Sequence, residues 1–180
     1  MRFILTIILA FSLVGCAAQV TSIKSDKDKI DSADAGYLLL GVDTSSDLKS
    51  ILITGPKNIK LSPKDLRKGS NFILVDLKPG IYTIEKIELN NYWRLEMEDK
   101  KYWNLEISSG VINYVGHIKI KSKNFWDSRY HTELVNKSSY AIEFLQRKFP
   151  NILAKRSVHY GGPGDDSFFT FLTSHKKEGN

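Results

Sequence analysis

The chain has 180 residues, 42% hydrophobic and 26% charged, with 26 Lys and Arg against 20 Asp and Glu for a formal charge of +6. That balance suits one globular domain with a sizeable core and excludes disorder for the bulk of the chain. A single cysteine excludes an intrachain disulfide framework and a thiolate-rich metal centre.

Residues 1–15 run from Arg2 through the apolar stretch Phe3 to Leu13 and end in Val14-Gly15. This is the order of a secretory signal, and the stretch is too short to remain in a bilayer as a permanent helix. Leu13-Val14-Gly15-Cys16 resembles the lipobox of bacterial lipoproteins. The resemblance implies cleavage between Gly15 and Cys16, a diacylglycerol thioether on Cys16 and an acyl chain on the new amino group, with no other cofactor. Ala17 is not the Asp that retains such proteins at the inner membrane in enteric bacteria, which implies a lipid anchor in the outer membrane facing the periplasm. The alternatives are a free thiol in a soluble secreted protein, a liability in an oxidising compartment, and an ordinary N-terminal membrane anchor with a chance cysteine. Each buried methylene contributes ~0.8 kcal/mol, so several acyl chains hold firmly where one is marginal. Export removes nucleic acid as a partner for the basic surface and leaves membrane lipid, envelope protein and glycan.

From Ala17 to Ala35 the chain is polar, with isolated Val20, Ile23 and Ile30 and no sustained period. The pattern predicts a flexible tether over 16–35, averaging roughly 25 Å end to end.

The folded body is expected over 36–172. "GYLLLGVD", "LKSILITG", "NFILVDL" and "IYTIEKIEL" read as short strands bounded by turn residues, although the last has no cleanly apolar face. Ser62, Pro63, Asp65 and Gly69 outline one helical turn. Pro79-Gly80 predicts a tight turn, read as a hairpin. In "VINYVGHIKIK" strict alternation places Ile112, Tyr114, Gly116, Ile118 and Ile120 on one inward face. A helix is expected near 139–149, with Ile142, Leu145 and Phe149 as its buried stripe, Ser138 or Ser139 as cap and Pro150 as stop. "SFFTFL" reads as a further strand and 173–180 as a mobile tail. Together these predict a mainly β fold, an antiparallel β-sandwich of prealbumin-like or Ig-like kind with one C-terminal helix.

"NFILVDLKPGIYTIEKIEL", "WNLEISSGVINYVGHIKI" and "AIEFLQRKFPNI", in that order, resemble a family of uncharacterised bacterial lipoproteins with a prealbumin-like or carboxypeptidase-regulatory-like sandwich domain. The similarity spans about Gly36 to Leu153 and rests on turn glycines and core aromatics, Gly110, Tyr114 and Gly116 among them. It implies a fold and carries no active-site residues.

For chemistry the chain offers little. It has no nucleophile elbow, no His-Glu-x-x-His and no phosphate-cradling loop, and His117, His131, His159 and His175 are too far apart to share a turn. Gly161 to Asp166, "GGPGDD", holds two carboxylates where calcium takes six to eight oxygens, so it reads as a turn. Tyr92, Trp93, Arg94, Tyr102 and Trp103 flank a charged tip. They either pack across a hairpin or form an outward platform for a glycan or protein partner. The expectation is therefore a non-catalytic, lipid-anchored envelope protein that binds a protein or glycan partner, without a metal. Alternatives are a structural spacer and an enzyme on envelope material, for which His117 or His159 with Asp165 or Asp166 must meet in one cleft.

Overall fold

The computed structural model describes residues 17–30, 33–99, 101–124, 127–169 and 171. The signal segment 1–15, Cys16 and the tail 173–180 lie outside the described residues. The strands are β1 (Ala18–Val20), β2 (Gly36–Thr44), β3 (Ser50–Thr54), β4 (Ile59–Leu61), β5 (Gly69–Leu77), β6 (Gly80–Glu88), β7 (Arg94–Glu96), β8 (Asn104–Ile107), β9 (Ile112–Asn124), β10 (Asp127–Val135) and β11 (Val158–Tyr160). A 3-10 turn covers Pro63–Asp65, and two helices follow β10, α1 (Ser138–Lys148) and α2 (Pro150–Lys155).

These elements form two mixed sheets. The first runs β1-β4-β3-β6, with β7 and β8 at different points along β6; the second runs β10-β9-β2-β5, with β11 also on β9. The mainly β expectation holds, while the antiparallel one is corrected: β1–β4, β2–β9 and β11–β9 are parallel pairs. The chain visits the first sheet between β2 and β9, so these neighbours come from distant segments and need not reverse direction. Pro79-Gly80 is likewise not a hairpin turn, because it carries the chain from β5 in the second sheet to β6 in the first. The helix expected at 139–149 is present as α1, but Pro150 starts α2 as well as ending α1, since a proline without an N–H suits a first helical turn.

Side chains of both sheets share one core, in which Leu38, Leu40, Val42, Ile73 and Val75 join Ile51, Ile53, Tyr82 and Ile84. A second apolar cluster sets Tyr37, Leu39, Leu74, Ile112 and Tyr114 against Ala141, Leu145, Phe149 and Ile152 of the helices. Strand β2 is thus covered on both faces, which is why its sequence is a continuous apolar run. Each Leu or Ile buried this way contributes about 1.5–3 kcal/mol.

Two bulges decide which side chains face where. Along β9, Leu39 pairs with Tyr114 and Gly41 with His117, so Val115 and Gly116 together oppose Leu40. Gly116 takes φ +103°, a conformation that L side chains rarely adopt. Strict alternation fails there: Ile112 and Tyr114 face the helices, whereas Val115, Ile118 and Ile120 face the core between the sheets. Along β6, Glu85 is the extra residue between Ile84 and Lys86, so Tyr82, Ile84 and Ile87 all reach the core.

The tether expected over 16–35 is corrected where it is described. Ala18–Val20 pairs with Ile59–Leu61 at one edge of the first sheet. Ser22 N and Lys24 Nζ both donate to the buried Asp65, at 2.7 and 2.6 Å, and Ile23 N donates to Leu74 O on β5 at 2.7 Å. The Asp26 carboxylate accepts from Asn151 N and Ile152 N in the first turn of α2, at 2.8 and 3.0 Å. Asp28 meets Arg156 at 2.7 Å and accepts the Tyr37 hydroxyl at 2.9 Å. The isolated Val20, Ile23 and Ile30 pack against the two clusters. A segment polar enough to read as a linker is ordered because its charges meet fixed partners.

Candidate functional site: a cationic cleft over the second sheet

Helices α1 and α2 cover only the part of the second sheet near the start of β2. Towards the end of β2 the same face is open and forms the floor of a cleft of about 680 Å³. Its floor includes Asp43, Phe72 and His117; Lys119, Lys121 and Tyr140 stand around it.

His117 reaches this floor because of the β9 bulge, which sets it on the same face as Tyr114 three residues earlier. The Tyr114 hydroxyl accepts from Lys137 N at 2.8 Å and lies 3.0 Å from His117 Nδ1. Of these two neighbours only the imidazole nitrogen can accept the phenol proton, so Tyr114 donates to Nδ1 and the ring carries its own proton on Nε2. Burial pushes the imidazole down to about 4, with Asp43 opposing and Lys137 and Lys119 adding to the shift, so it is neutral at pH 7. Burial also pushes the Tyr114 phenol up, which keeps it a donor.

The ring lies against the backbone of β2. A Cβ on Gly41 would sit 2.2 Å from Cδ2, Cε1 and Nε2 of His117, and Phe72 meets the ring edge-on at 4.7 Å between centroids. Phe72 in turn stacks on Phe144 of α1 at 4.5 Å. Gly41→Ala is therefore expected to cost about 1–3 kcal/mol by overpacking, read as a lower midpoint of thermal or urea unfolding. The loss shrinks in a His117→Ala background if the ring is the obstacle; an equal loss in both backgrounds means it is not.

Asp43 is ion-paired with Lys137. Burial would raise its carboxyl, but hydrogen bonds from Lys137 and Ser70 and the charge of Lys137 hold it below the ordinary value. Its Oδ1 is buried with no hydrogen-bond partner among the described residues. Lys119 lies 3.5 Å from Glu133 on β10, whereas the exposed Lys121 makes no ion pair among the described residues.

The residues singled out from the sequence fall elsewhere, except His117. Asp166 is buried, hydrogen-bonded to Ser138, and accepts from Phe168 N and Phe169 N at 2.8 and 3.3 Å. It starts a helical turn at 167–169 where a strand was expected, and its neighbour Asp165 is exposed. His159 is exposed on β11, 3.3 Å from Ser157 Oγ. The nominated histidines and aspartates thus form no hydrogen-bonded acid–base pair among the described residues. No three His, Cys, Asp or Glu among those residues come together to hold a metal.

The aromatic platform splits. β7 and β8 each pair with β6 and not with one another, so the two aromatic pairs do not face each other across a ladder. Trp103 is buried in the core between the sheets. Tyr102 ties the two sheets together, donating to Leu134 O at 2.7 Å and accepting from Leu134 N at 3.2 Å. Tyr92 and Trp93 do face outward, 90% and 56% exposed, on a turn held by Asn90 Oδ1. Arg94 is paired with Glu96 at 3.0 Å. The cleft was missed because its residues are scattered over three strands, a helix and the loops beside them. The one signal was Gly41, since a glycine inside a strand marks close approach of another group.

No known protein family, curated protein or solved structure compared with the chain matches it.

Proposed function

We propose that this is a non-catalytic bacterial lipoprotein, anchored through lipid on Cys16 in the cell envelope, that binds a partner in the cleft beside Tyr140. The cleft is the observation that carries the reading: a concave, cation-rimmed site whose one buried histidine is neutral and already bonded to Tyr114. The lipobox residues support the anchor, and among the described residues no helix is long and apolar enough to cross a membrane. The domain is read as a β-sandwich, supported by the single core that its two sheets share; the prealbumin-like or Ig-like strand order of the expectation has no such support.

The positions of the ends also support it. Ala18 pairs at the start of β4, beside the end of β3; Pro56, just past β3, lies against Gly80, which follows the end of β5 that pairs with the start of β2, whereas the cleft lies at the far end of β2. Seven strand residues separate Gly36 from Asp43, about 23 Å of rise. A lipid on Cys16 therefore holds one end of the domain near the bilayer and presents the cleft at the other.

A photo-crosslinking residue placed at position 140 in intact cells is expected to capture a partner that the same residue at Ile81, exposed on the first sheet, does not. Equal capture from both sites, or none, overturns the cleft as the binding site. Cys16→Ala is expected to move the product from the detergent phase to the aqueous phase. A native product that begins at Met1, or that carries an unmodified thiol, overturns the anchor.

A further inference from the structure

Charge, hydrogen-bonding groups and ring faces meet in the cleft in a combination that selects one ligand chemistry. Three lysines, Lys119, Lys121 and Lys137, stand against a single carboxylate, Asp43. Lys137 is taken up by Asp43 and Lys119 leans on Glu133, which leaves Lys121 as a cation with no partner among the described residues. A concave surface with an uncompensated ammonium attracts an anion, and as a point charge the ammonium takes carboxylate or phosphate alike.

The floor asks for something different. Asp43 Oδ1 is a buried acceptor with no donor in full hydrogen-bonding geometry among the described residues, the neighbouring Ser70 hydroxyl helping only to keep the carboxylate charged, and leaving such an atom under-satisfied is unfavourable. A ligand hydroxyl donating there removes that penalty. Ser70 beside it adds a hydroxyl that donates or accepts, and His117 adds an N–H at Nε2. Over this polar floor Tyr140 stands 61% exposed at the rim. An aromatic face next to closely placed donors and acceptors suits a saturated sugar ring, whose C–H face packs on the aromatic while its edge makes hydrogen bonds.

We infer that the cleft binds an anionic saccharide: a sugar ring packed on Tyr140, a hydroxyl donating to Asp43 Oδ1, and a carboxylate or phosphate held by Lys121 with Lys119. The volume of about 680 Å³ accommodates one or two rings. This rests on the reading of the cleft as a binding site and names what it takes.

Titration calorimetry on the full-length protein in detergent, with glucuronate, glucose 6-phosphate, glucose and inorganic phosphate as probes, tests it. Both acidic sugars are expected to bind at least tenfold more tightly than glucose and than inorganic phosphate. Lys121→Ala, at an exposed side chain with no ion pair to lose, removes most of that preference, while Tyr140→Ala weakens the sugars and leaves inorganic phosphate unchanged. Glucose binding as well as glucuronate overturns the role of charge, and phosphate binding as well as glucose 6-phosphate overturns the role of the ring. Micelles of lipopolysaccharide form a further arm: tighter binding than the free acids assigns a membrane-borne glycan, and equal affinity assigns a soluble one. If no sugar binds while crosslinking from position 140 still captures a protein, the saccharide is overturned and the binding site stands. If both fail, both readings fall.

Discussion

Replacing Arg156 by alanine is expected to cost about 3 kcal/mol, the lower end for breaking a buried ion pair, and to open the N-terminal segment to protease. Arg156 Nε donates to Asp28 at 2.7 Å, and the two side chains are only 13% and 7% exposed. The same guanidinium donates to Ile30 O at 3.0 Å and Gly110 O at 3.2 Å, so one side chain at the end of α2 holds the N-terminal segment and the turn before β9. Its loss leaves Asp28 charged and half-satisfied, and burial alone would raise that carboxyl were Arg156 not holding it down. At the usual urea sensitivity of ~1–3 kcal/mol per molar, the midpoint falls by about 1–3 M. Trypsin is expected to cut at Lys27 and Lys29 in the variant before it cuts the body. A double-mutant cycle with Asp28→Ala isolates the pair, and a coupling near zero would mean that the segment is held by its other contacts.

The second large effect is on pH. A histidine held near 4 in the folded chain and near 6.5 when unfolded takes up its proton first in the unfolded state. Stability from keeping this ring neutral is therefore full above about pH 6.5 and is lost as pH falls from there to about 4, an amount of about 3 kcal/mol. The groups around the ring are Tyr114, Asp43, Lys137 and Lys119. Carboxylates lose their contribution lower: hydrogen bonds from Lys60 and Ser50 hold Glu88 at about 2. His117→Gln keeps an acceptor for Tyr114 and removes the titration, so its unfolding free energy is expected to be flatter than the parent's between pH 6.5 and 4. Parallel profiles for the two proteins would assign the acid sensitivity to another group.

Much of the fold was legible because period-2 patterning and turn residues are local. α1 appeared with Leu145 and Phe149 buried, and the strands fell where the apolar runs lie. Face assignment failed along β9 and was left open along β6, for one reason. A bulge adds a residue to one strand, and every side chain beyond it changes face; Glu85 and Gly116 are such points, and although a glycine inside a strand is a bulge signal, Glu85 carries none. Sheet membership across Pro79-Gly80 was not legible either, since the same two residues serve a hairpin and a crossing between sheets. The segment 18–30 was misread because Asp26, Asp28 and Lys24 look like solvated charges until their partners, more than forty residues away, are in view. The cleft shared that obstacle: Asp43 and Lys137 are 94 positions apart.

The docked N-terminal strand also determines how load enters the molecule. Because β1 runs alongside β4 and the chain emerges at the start of both, a pull on the N-terminus acts along the strand axis. Its bonds are then strained together in shear, where a transverse pull would peel them one at a time. Behind them stand the bonds to Asp65 and the Asp28–Arg156 pair, a series of successively deeper stops. Under the proposed function, a partner held in the cleft would complete a line of tension through the length of the domain.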